Sequence, residues 1–324
     1  MIRLANRIIL SEKCNLSCKH CFNSMFRKQG DMDVDLWTEY VKRNVSYLWD
    51  RELRIMGGEP TLHPRIVEFV EISTKYFQLS SLFTNGTTLP ELAKNDVFAE
   101  NHFNGRLAYA INGFTFEQNR FSEYEDHISS IKLHNVVPLT GVHRFIKRVF
   151  KQLELQPKVL LLFSPDTQIN LVDDKMAEEY RKSWMKAMVS IIPEVNKRGI
   201  PYGFDHYFPM CFYTQEMIDE LHSNNIEGLH TERISCCGDK HMGLIDWNFD
   251  LYFCNQTRIK IGSILDENGY PMLVPEIMKT LSKYSCVKTE SVKELSDKCR
   301  NCGVVASCKT GCFYNSIVRE RSQK

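Results

Sequence analysis

From the start of the chain to about residue 205, short apolar runs alternate with longer stretches in which apolar residues recur every three or four positions. Arg7 to Leu10, Leu53 to Met56, Leu79 to Thr84, Leu107 to Ile111, Val159 to Phe163 and Ile200 to Phe204 read as strands. Between them Asp35 to Leu48, Pro64 to Phe77, His143 to Leu155 and Lys175 to Lys197 are each long enough to be a crossover helix. Alternation of this kind predicts an α/β fold with a parallel sheet covered by helices. Six units are too few to close an eight-unit barrel, so an open, curved one is expected.

After about Phe208 the rhythm gives way to irregular, cysteine-rich sequence, with one short helix at Gln215 to His222 and a hairpin across Gly243 to Phe253. The expected division is a core of residues 1–208 and a small α+β domain of residues 209–324. No repeat, low-complexity tract or Pro/Gly/Ser linker separates them, so direct packing of one on the other is expected.

Composition narrows the function classes. The formal net charge is +1 with acidic and basic residues interspersed, so no basic stripe marks a nucleic-acid ligand. Met1 to Arg7 lacks the apolar run of a signal peptide, and no stretch approaches the apolar length of a membrane span. A cytoplasmic protein is expected, in a compartment where clustered cysteines serve as metal ligands more readily than as disulfides.

The cysteines are clustered. Cys14, Cys18 and Cys21 lie in one short run, and Cys299, Cys302, Cys308 and Cys312 form a second spaced set. With 12 cysteines in 324 residues, chance supplies about 0.014 runs of the first spacing. A cubane 4Fe-4S cluster takes four thiolates, so a local set of three leaves one iron open to a small molecule.

The spacing C-x3-C-x2-C in a loop after the first strand, with the ring of His20 just before the third cysteine, resembles the signature of the radical S-adenosylmethionine (SAM) superfamily. Gly57, Gly58, Glu59 and Pro60, directly after the second strand, are similar to the motif whose backbone and carboxylate hold the SAM amino group. Thr84, Asn85 and Gly86 resemble a turn that the family places beside the cofactor. The residue chemistry agrees: two glycines let backbone approach a ligand closely, and Glu59 offers an anion to an ammonium group. The resemblance implies an open (β/α)6 partial TIM barrel, with His20 and Phe22 also at the cofactor. It implies a 4Fe-4S cluster on Cys14, Cys18 and Cys21 whose open iron is chelated by SAM, and an electron from a flavodoxin or ferredoxin that releases a 5'-deoxyadenosyl radical. Ribose contacts are expected at the ends of strands four and five, with Asn112, Ser164 and Asp166 as candidates. His63, following the glycine motif, is expected to be a loop histidine that supports the SAM site and not a proton carrier.

The tail spacing C-x2-C-x5-C-x3-C resembles the SPASM/twitch domain of radical SAM enzymes that act on peptides and proteins. By that resemblance Cys254, Cys312 and Cys236 or Cys237 share one auxiliary 4Fe-4S cluster, and Cys299, Cys302 and Cys308 bind another. This chain departs from the pattern twice: Phe249 stands where the family has glycine, and no cysteine follows Cys312. One or two auxiliary clusters are therefore both open, Cys211 and Cys286 are spare thiols, and a structural zinc site is the competing reading of the tail. The aromatic residues Trp184, Tyr202, Phe204, Tyr207 and Phe208 are expected in the core.

The resemblance implies post-translational modification of a peptide or protein by crosslinking, oxidation or epimerisation. Because the first strand starts within ten residues, a leader peptide is expected to need a separate binding protein or the barrel mouth. The alternatives are a dehydrogenase of a small molecule such as an amino-sugar, and a non-enzymatic iron-sulfur electron carrier or sensor, against which the Gly-Gly-Glu-Pro run argues.

Overall fold

The computed structural model describes residues 3–4, 7–18, 21, 23, 30–48, 51–116, 121–155, 158–166, 174–204, 208, 212–226, 241–252 and 260–283. His20, Phe22, Cys236, Cys237, Cys254, Cys299, Cys302, Cys308 and Cys312 lie outside the described residues, as do the spare Cys211 and Cys286.

The chain forms two compact units, residues 1–132 with 238–285, and residues 133–237 with 286–324. The first unit contains strands β1 (Arg3–Leu4), β2 (Arg7–Ser11), β3 (Glu52–Gly57), β4 (Leu79–Thr84) and β5 (Leu107–Asn112). The pairs β2–β3, β3–β4 and β4–β5 are parallel, as the strand-helix alternation requires. Strand β4 is buried on both faces, the mark of a sheet covered by helices.

The helix Val34–Arg43 shows how sequence fixes the cover. Asp33 caps it by accepting from the amides of Asp35 (2.8 Å) and Leu36 (3.0 Å), and Val34, Trp37, Tyr40 and Val41 form its buried face. Burying Trp37 or Val41 contributes roughly 1.5–3 kcal/mol each against an exposed side chain. The helix expected through Leu48 is interrupted at Asn44 and followed by the single turn Val45–Leu48; Asn44 is fully buried, and its Nδ2 donates to the carbonyls of Tyr40 (2.9 Å) and Met272 (3.1 Å) while Oδ1 accepts from the Val274 amide (2.7 Å).

The second unit contains most of β6 (Ile131–Val137), which the apolar runs did not reveal, together with β7 (Val159–Pro165) and β8 (Tyr202–Phe204). Alternate residues of β6 are buried, but Asn135 is one of them and Lys132 and His134 intervene, so no apolar run survives. Ser164 and Asp166 therefore lie at the end of the strand to which the sequence assigned them, which is the sixth counting from β2 and not the fifth. Strands β7 and β8 pair in parallel. Trp184 and Phe208 are in the core as expected, with ring centroids 4.8 Å apart, whereas Tyr202 and Phe204 are half-buried.

The late hairpin belongs to the first unit. After β9 (His241–Met242), which pairs with β1, strands β10 (Leu244–Ile245), β11 (Asp250–Tyr252) and β12 (Lys260–Ser263) extend the sheet edge, β10 lying parallel to β2 with Ile245 opposite Ile8. Phe249, where the resemblance leads one to expect glycine, adopts φ 60°, the left-handed conformation that glycine takes without penalty. A non-glycine residue there costs about 1–2 kcal/mol, offset by burial of the Phe249 ring. No helix among the described residues is long and apolar enough to cross a membrane.

Candidate cofactor site at the strand ends

The end of β2 leads directly into the cysteine loop, and the glycine motif at the end of β3 lies against that lead. The Gly58 amide donates to the Ser11 carbonyl (2.8 Å) and the Glu59 amide to the Lys13 carbonyl (2.7 Å). A Cβ on Gly57 would lie 2.1 Å from the Ser11 carbonyl oxygen, and one on Gly58 would lie 2.4 Å from that of Lys13. The close backbone approach that both glycines permit is thus to the residues immediately before Cys14.

Glu59 is fully buried. As N-cap of the short 3-10 helix Pro60–Leu62 its Oε1 accepts from the Thr61 amide (3.2 Å) and the Thr61 hydroxyl (2.6 Å). The same oxygen accepts from the Thr84 hydroxyl (2.7 Å), and Oε2 accepts from the Asn85 amide (2.6 Å). Four donors of this chain therefore surround the group that the sequence assigns to an ammonium ligand, and they tie the end of β3 to the end of β4.

The turn after β4 then reaches the cysteine loop. Asn85 Nδ2 donates to Asn15 Oδ1 (2.8 Å), and Asn15 Nδ2 donates to the Thr87 hydroxyl (2.8 Å), so the residue after Cys14 is held at both ends of its carboxamide. Thr115, past β5, donates to the Asn85 carbonyl (2.8 Å). Sequence reasoning missed Asn15, Thr61, Thr87 and Thr115; no periodicity marks them, and only the position of Asn15 beside Cys14 was a signal.

The exit of the loop is fastened to its entrance. The Met32 amide donates to the Leu10 carbonyl (2.9 Å) and the Glu12 amide to the Gly30 carbonyl (3.2 Å). Asp31 accepts from the Ser11 hydroxyl (2.6 Å) and pairs with Lys13, and these contacts lower its pKa against the opposing effect of burial. His63 secures the same segment. The Arg65 amide can only donate, so Nδ1 of His63 accepts from it (3.1 Å), and Nε2–H donates to the Met32 carbonyl (2.9 Å). Both ring nitrogens are used within the fold, tying Arg65 to Met32.

Cys14, Cys18 and Cys21 are half-buried thiols outside any disulfide, and the Cys21 amide donates to the Cys18 carbonyl (3.2 Å). Three soft donors on one partly exposed loop fit an iron-sulfur cluster. Among the described residues no three His, Cys, Asp or Glu side chains close around one point. A cubane asks for no such shell, because each thiolate binds a different iron. Of the ribose candidates, Asn112 uses Oδ1 to accept from the Phe114 amide (2.9 Å). In the second unit Ser164 and Asp166 are buried, and the Asp166 amide donates to the Tyr180 hydroxyl (2.8 Å), which itself donates to the Val137 carbonyl (2.8 Å).

Two buried histidines give this unit a pH dependence. In His102, Nε2 accepts from the Ser129 amide (2.8 Å) and Nδ1–H donates to the Leu107 carbonyl (2.8 Å). Burial, the largest influence, lowers the pKa of both His63 and His102 below the ordinary 6.5. A lowered histidine pKa means that the unfolded chain binds more protons between the two values. Stability is full above pH 6.5, falls as the pH drops through 6.5 towards the folded values, and levels below them. Anaerobic urea midpoints at pH 7.5 and 5.5 should fall on acidification, and an unchanged or higher midpoint at pH 5.5 would contradict the assigned neutral tautomers.

Comparison with known proteins agrees with this geometry. Residues 8–128 match the model described as Radical SAM superfamily. The chain is 25% identical over 227 residues to the antilisterial bacteriocin subtilosin biosynthesis protein AlbA of Bacillus subtilis, covering 60% of this chain and 49% of AlbA. It is 32% identical over 84 residues to the PqqA peptide cyclase of Gluconobacter oxydans, covering 25% and 24%. It is 36% identical over 93 residues to a probable GTP 3',8-cyclase of Pyrococcus abyssi, covering 27% and 29%. These matches thus span less than half of each relative's own length. The crystal structure of Streptococcus suis SuiB bound to precursor peptide SuiA superposes with a TM-score of 0.61 at 14% identity, covering 97% of this chain and 72% of SuiB, which establishes a shared partial-barrel fold. The family's cofactors are SAM and a 4Fe-4S cluster. With the cysteine loop and the ends of β2 to β5 all inside the matched segment, residues 8–128 are a radical SAM domain.

Proposed function

We propose that the chain is a radical SAM enzyme that modifies a peptide or protein by crosslinking, oxidation or epimerisation. The observation that carries this reading is the reach of the peptide-linked matches: similarity to AlbA runs over 227 residues and the SuiB fold over 97% of the chain, well beyond the 121 residues of the domain match (8 to 128). Cys14, Cys18 and Cys21 would hold the SAM cluster. Gly57, Gly58, Glu59, Pro60, Thr84 and Asn85 would form the wall beside it, with His20 and Phe22 also at the cofactor and Asn112, Ser164 and Asp166 offered to the ribose. When bound, the cluster and SAM supply a 5'-deoxyadenosyl radical that takes a hydrogen atom from the substrate. The residues of this chain orient the cysteine loop and wall it with a buried hydrogen-bond network. The electron would come from a flavodoxin or ferredoxin.

Residues 209–324 would form the SPASM/twitch-type domain, with auxiliary 4Fe-4S clusters on Cys236 or Cys237, Cys254, Cys299, Cys302, Cys308 and Cys312. The anaerobically reconstituted protein should then carry more than about four irons. About four irons plus one zinc, with only the zinc lost from a Cys299→Ala, Cys302→Ala variant, would replace these clusters with a structural zinc site.

The activity test is reduction of the reconstituted protein with SAM, with 5'-deoxyadenosine as product and short peptides encoded beside the gene as substrates. A peptide that loses hydrogen or changes stereochemistry supports the reading, and absence of any SAM cleavage removes it. The second reading, a small-molecule substrate, is favoured by the short matches to GTP 3',8-cyclases, and SAM cleavage coupled to no peptide but to a small polyol or nucleotide would select it.

A further inference from the structure

The contact between Gly30 and Trp247 joins two parts of the chain that the proposed chemistry treats separately. A Cβ on Gly30 would lie 2.3 Å from Trp247 Cδ2 and 2.4 Å from Cε2 and Cε3, so the fused bond of the indole sits on the α-carbon of Gly30. Gly30 is not in the left-handed region; its lack of a side chain answers to the indole and not to its own backbone. Gly30 is also where the cysteine loop exits, and its carbonyl accepts from Glu12, two residues before Cys14. A displacement at Gly30 is therefore passed through Glu12, Asp31 and Lys13 to the entrance of the loop.

Trp247 is presented by a rigid tip. Asp246 Oδ1 accepts from the amides of Asn248 and Asp250 (3.0 Å each), the Phe249 amide donates to the Asp246 carbonyl (2.9 Å), and the Phe249 carbonyl accepts from the Ile264 amide (3.0 Å). These bonds over-determine the turn and hold Phe249 at φ 60°. Below the tip, Leu244 packs with Ile9 and Met56, against which Phe83 and Tyr252 also pack, fixing the hairpin to β2, β3 and β4.

We propose that Trp247 is a positioning residue for the cysteine loop: the strained hairpin tip holds the loop exit at Gly30 and thereby sets the environment of Cys14, Cys18 and Cys21. The proposal rests on the reading of those cysteines as the SAM-cluster ligands. The hairpin ends at Tyr252, two residues before Cys254 in the sequence.

The test uses full-length parent, Trp247→Ala, Gly30→Ala and the double variant. In cluster-free protein, alkylation of Cys14, Cys18 and Cys21 by iodoacetamide, followed by mass spectrometry, should accelerate several-fold in each single variant. The double variant should be no faster than either, because without the indole the three atoms nearest a methyl on residue 30 are gone. Rates equal to the parent's, or effects of the two substitutions that multiply, overturn the brace. If Gly30→Ala fails to fold, its recovery in the Trp247→Ala background supports the brace, and failure in both backgrounds overturns it. In reconstituted protein with unchanged iron content, the electron paramagnetic resonance signal of the reduced first cluster with SAM should differ between parent and Trp247→Ala; identical signals overturn the functional half of the proposal. A parent that shows no SAM-dependent signal refutes the cofactor reading instead, and the alkylation rates still decide the brace.

Discussion

Replacing Glu59 with alanine is expected to destabilise the first unit and loosen the cysteine loop together, and not merely to weaken SAM binding. The substitution strips the acceptor from the amides of Thr61 and Asn85 and the hydroxyls of Thr61 and Thr84, at a fully buried position. Each orphaned buried donor costs about 1–3 kcal/mol, less for hydroxyls that can rotate to another acceptor, so a total on the order of 3–5 kcal/mol is expected. Glutamine keeps one oxygen but turns an NH2 towards a donor, which should cost about 1–3 kcal/mol. Asn85 and Asn15 connect this network to Cys14, so the iron content after reconstitution should fall with stability. Anaerobic denaturation, iron analysis and SAM affinity measured on the same preparations separate the possibilities. A Glu59→Ala protein with parental stability and iron but weakened SAM affinity would make the carboxylate a direct ligand of the SAM ammonium, as the sequence motif alone suggests.

Removing the thiols should have the opposite signature. A variant with Cys14, Cys18 and Cys21 all changed to Ala should lose about four irons and all SAM cleavage, since no thiolate remains on the loop. Its stability should change little, because the three side chains are half-buried and the loop is held by Asn15, Asp31 and Met32 instead. Iron analysis and chromatographic detection of 5'-deoxyadenosine check this; retained turnover would refute the ligand assignment. The contrast between the two variants, one losing fold and iron, the other iron alone, tests whether scaffold and ligands are distinct sets of residues.

Within the described residues the strands Arg7–Ser11, Glu52–Gly57, Leu79–Thr84, Leu107–Asn112 and Val159–Pro165 were legible to within a residue or two because each is an apolar run bounded by turn residues. Strand Ile131–Val137 was not. Its alternation is genuine, but Asn135 takes an inward position where its Nδ2 donates to Gln152 (2.9 Å), a satisfaction visible only once the helix Val142–Gln152 is packed beside it. The helix Asp96–Phe103 was hidden for a related reason, since His102 is buried by accepting from Ser129 and donating to Leu107.

The sequence by itself determined which chemistry this chain carries: cysteine spacing, a double glycine and a strand-end glutamate are local patterns, and local patterns survive in one dimension. Only the tertiary structure decided how those residues are used. Glu59 is turned inward on Thr84 and Asn85, Gly57 and Gly58 admit the backbone of Ser11 to Lys13, Asn15 reaches Thr87 across 72 positions, and Gly30 is glycine because of Trp247. Contacts between residues so far apart in the chain leave no periodic trace, because their partners are set by strand order and loop closure and not by neighbours in sequence.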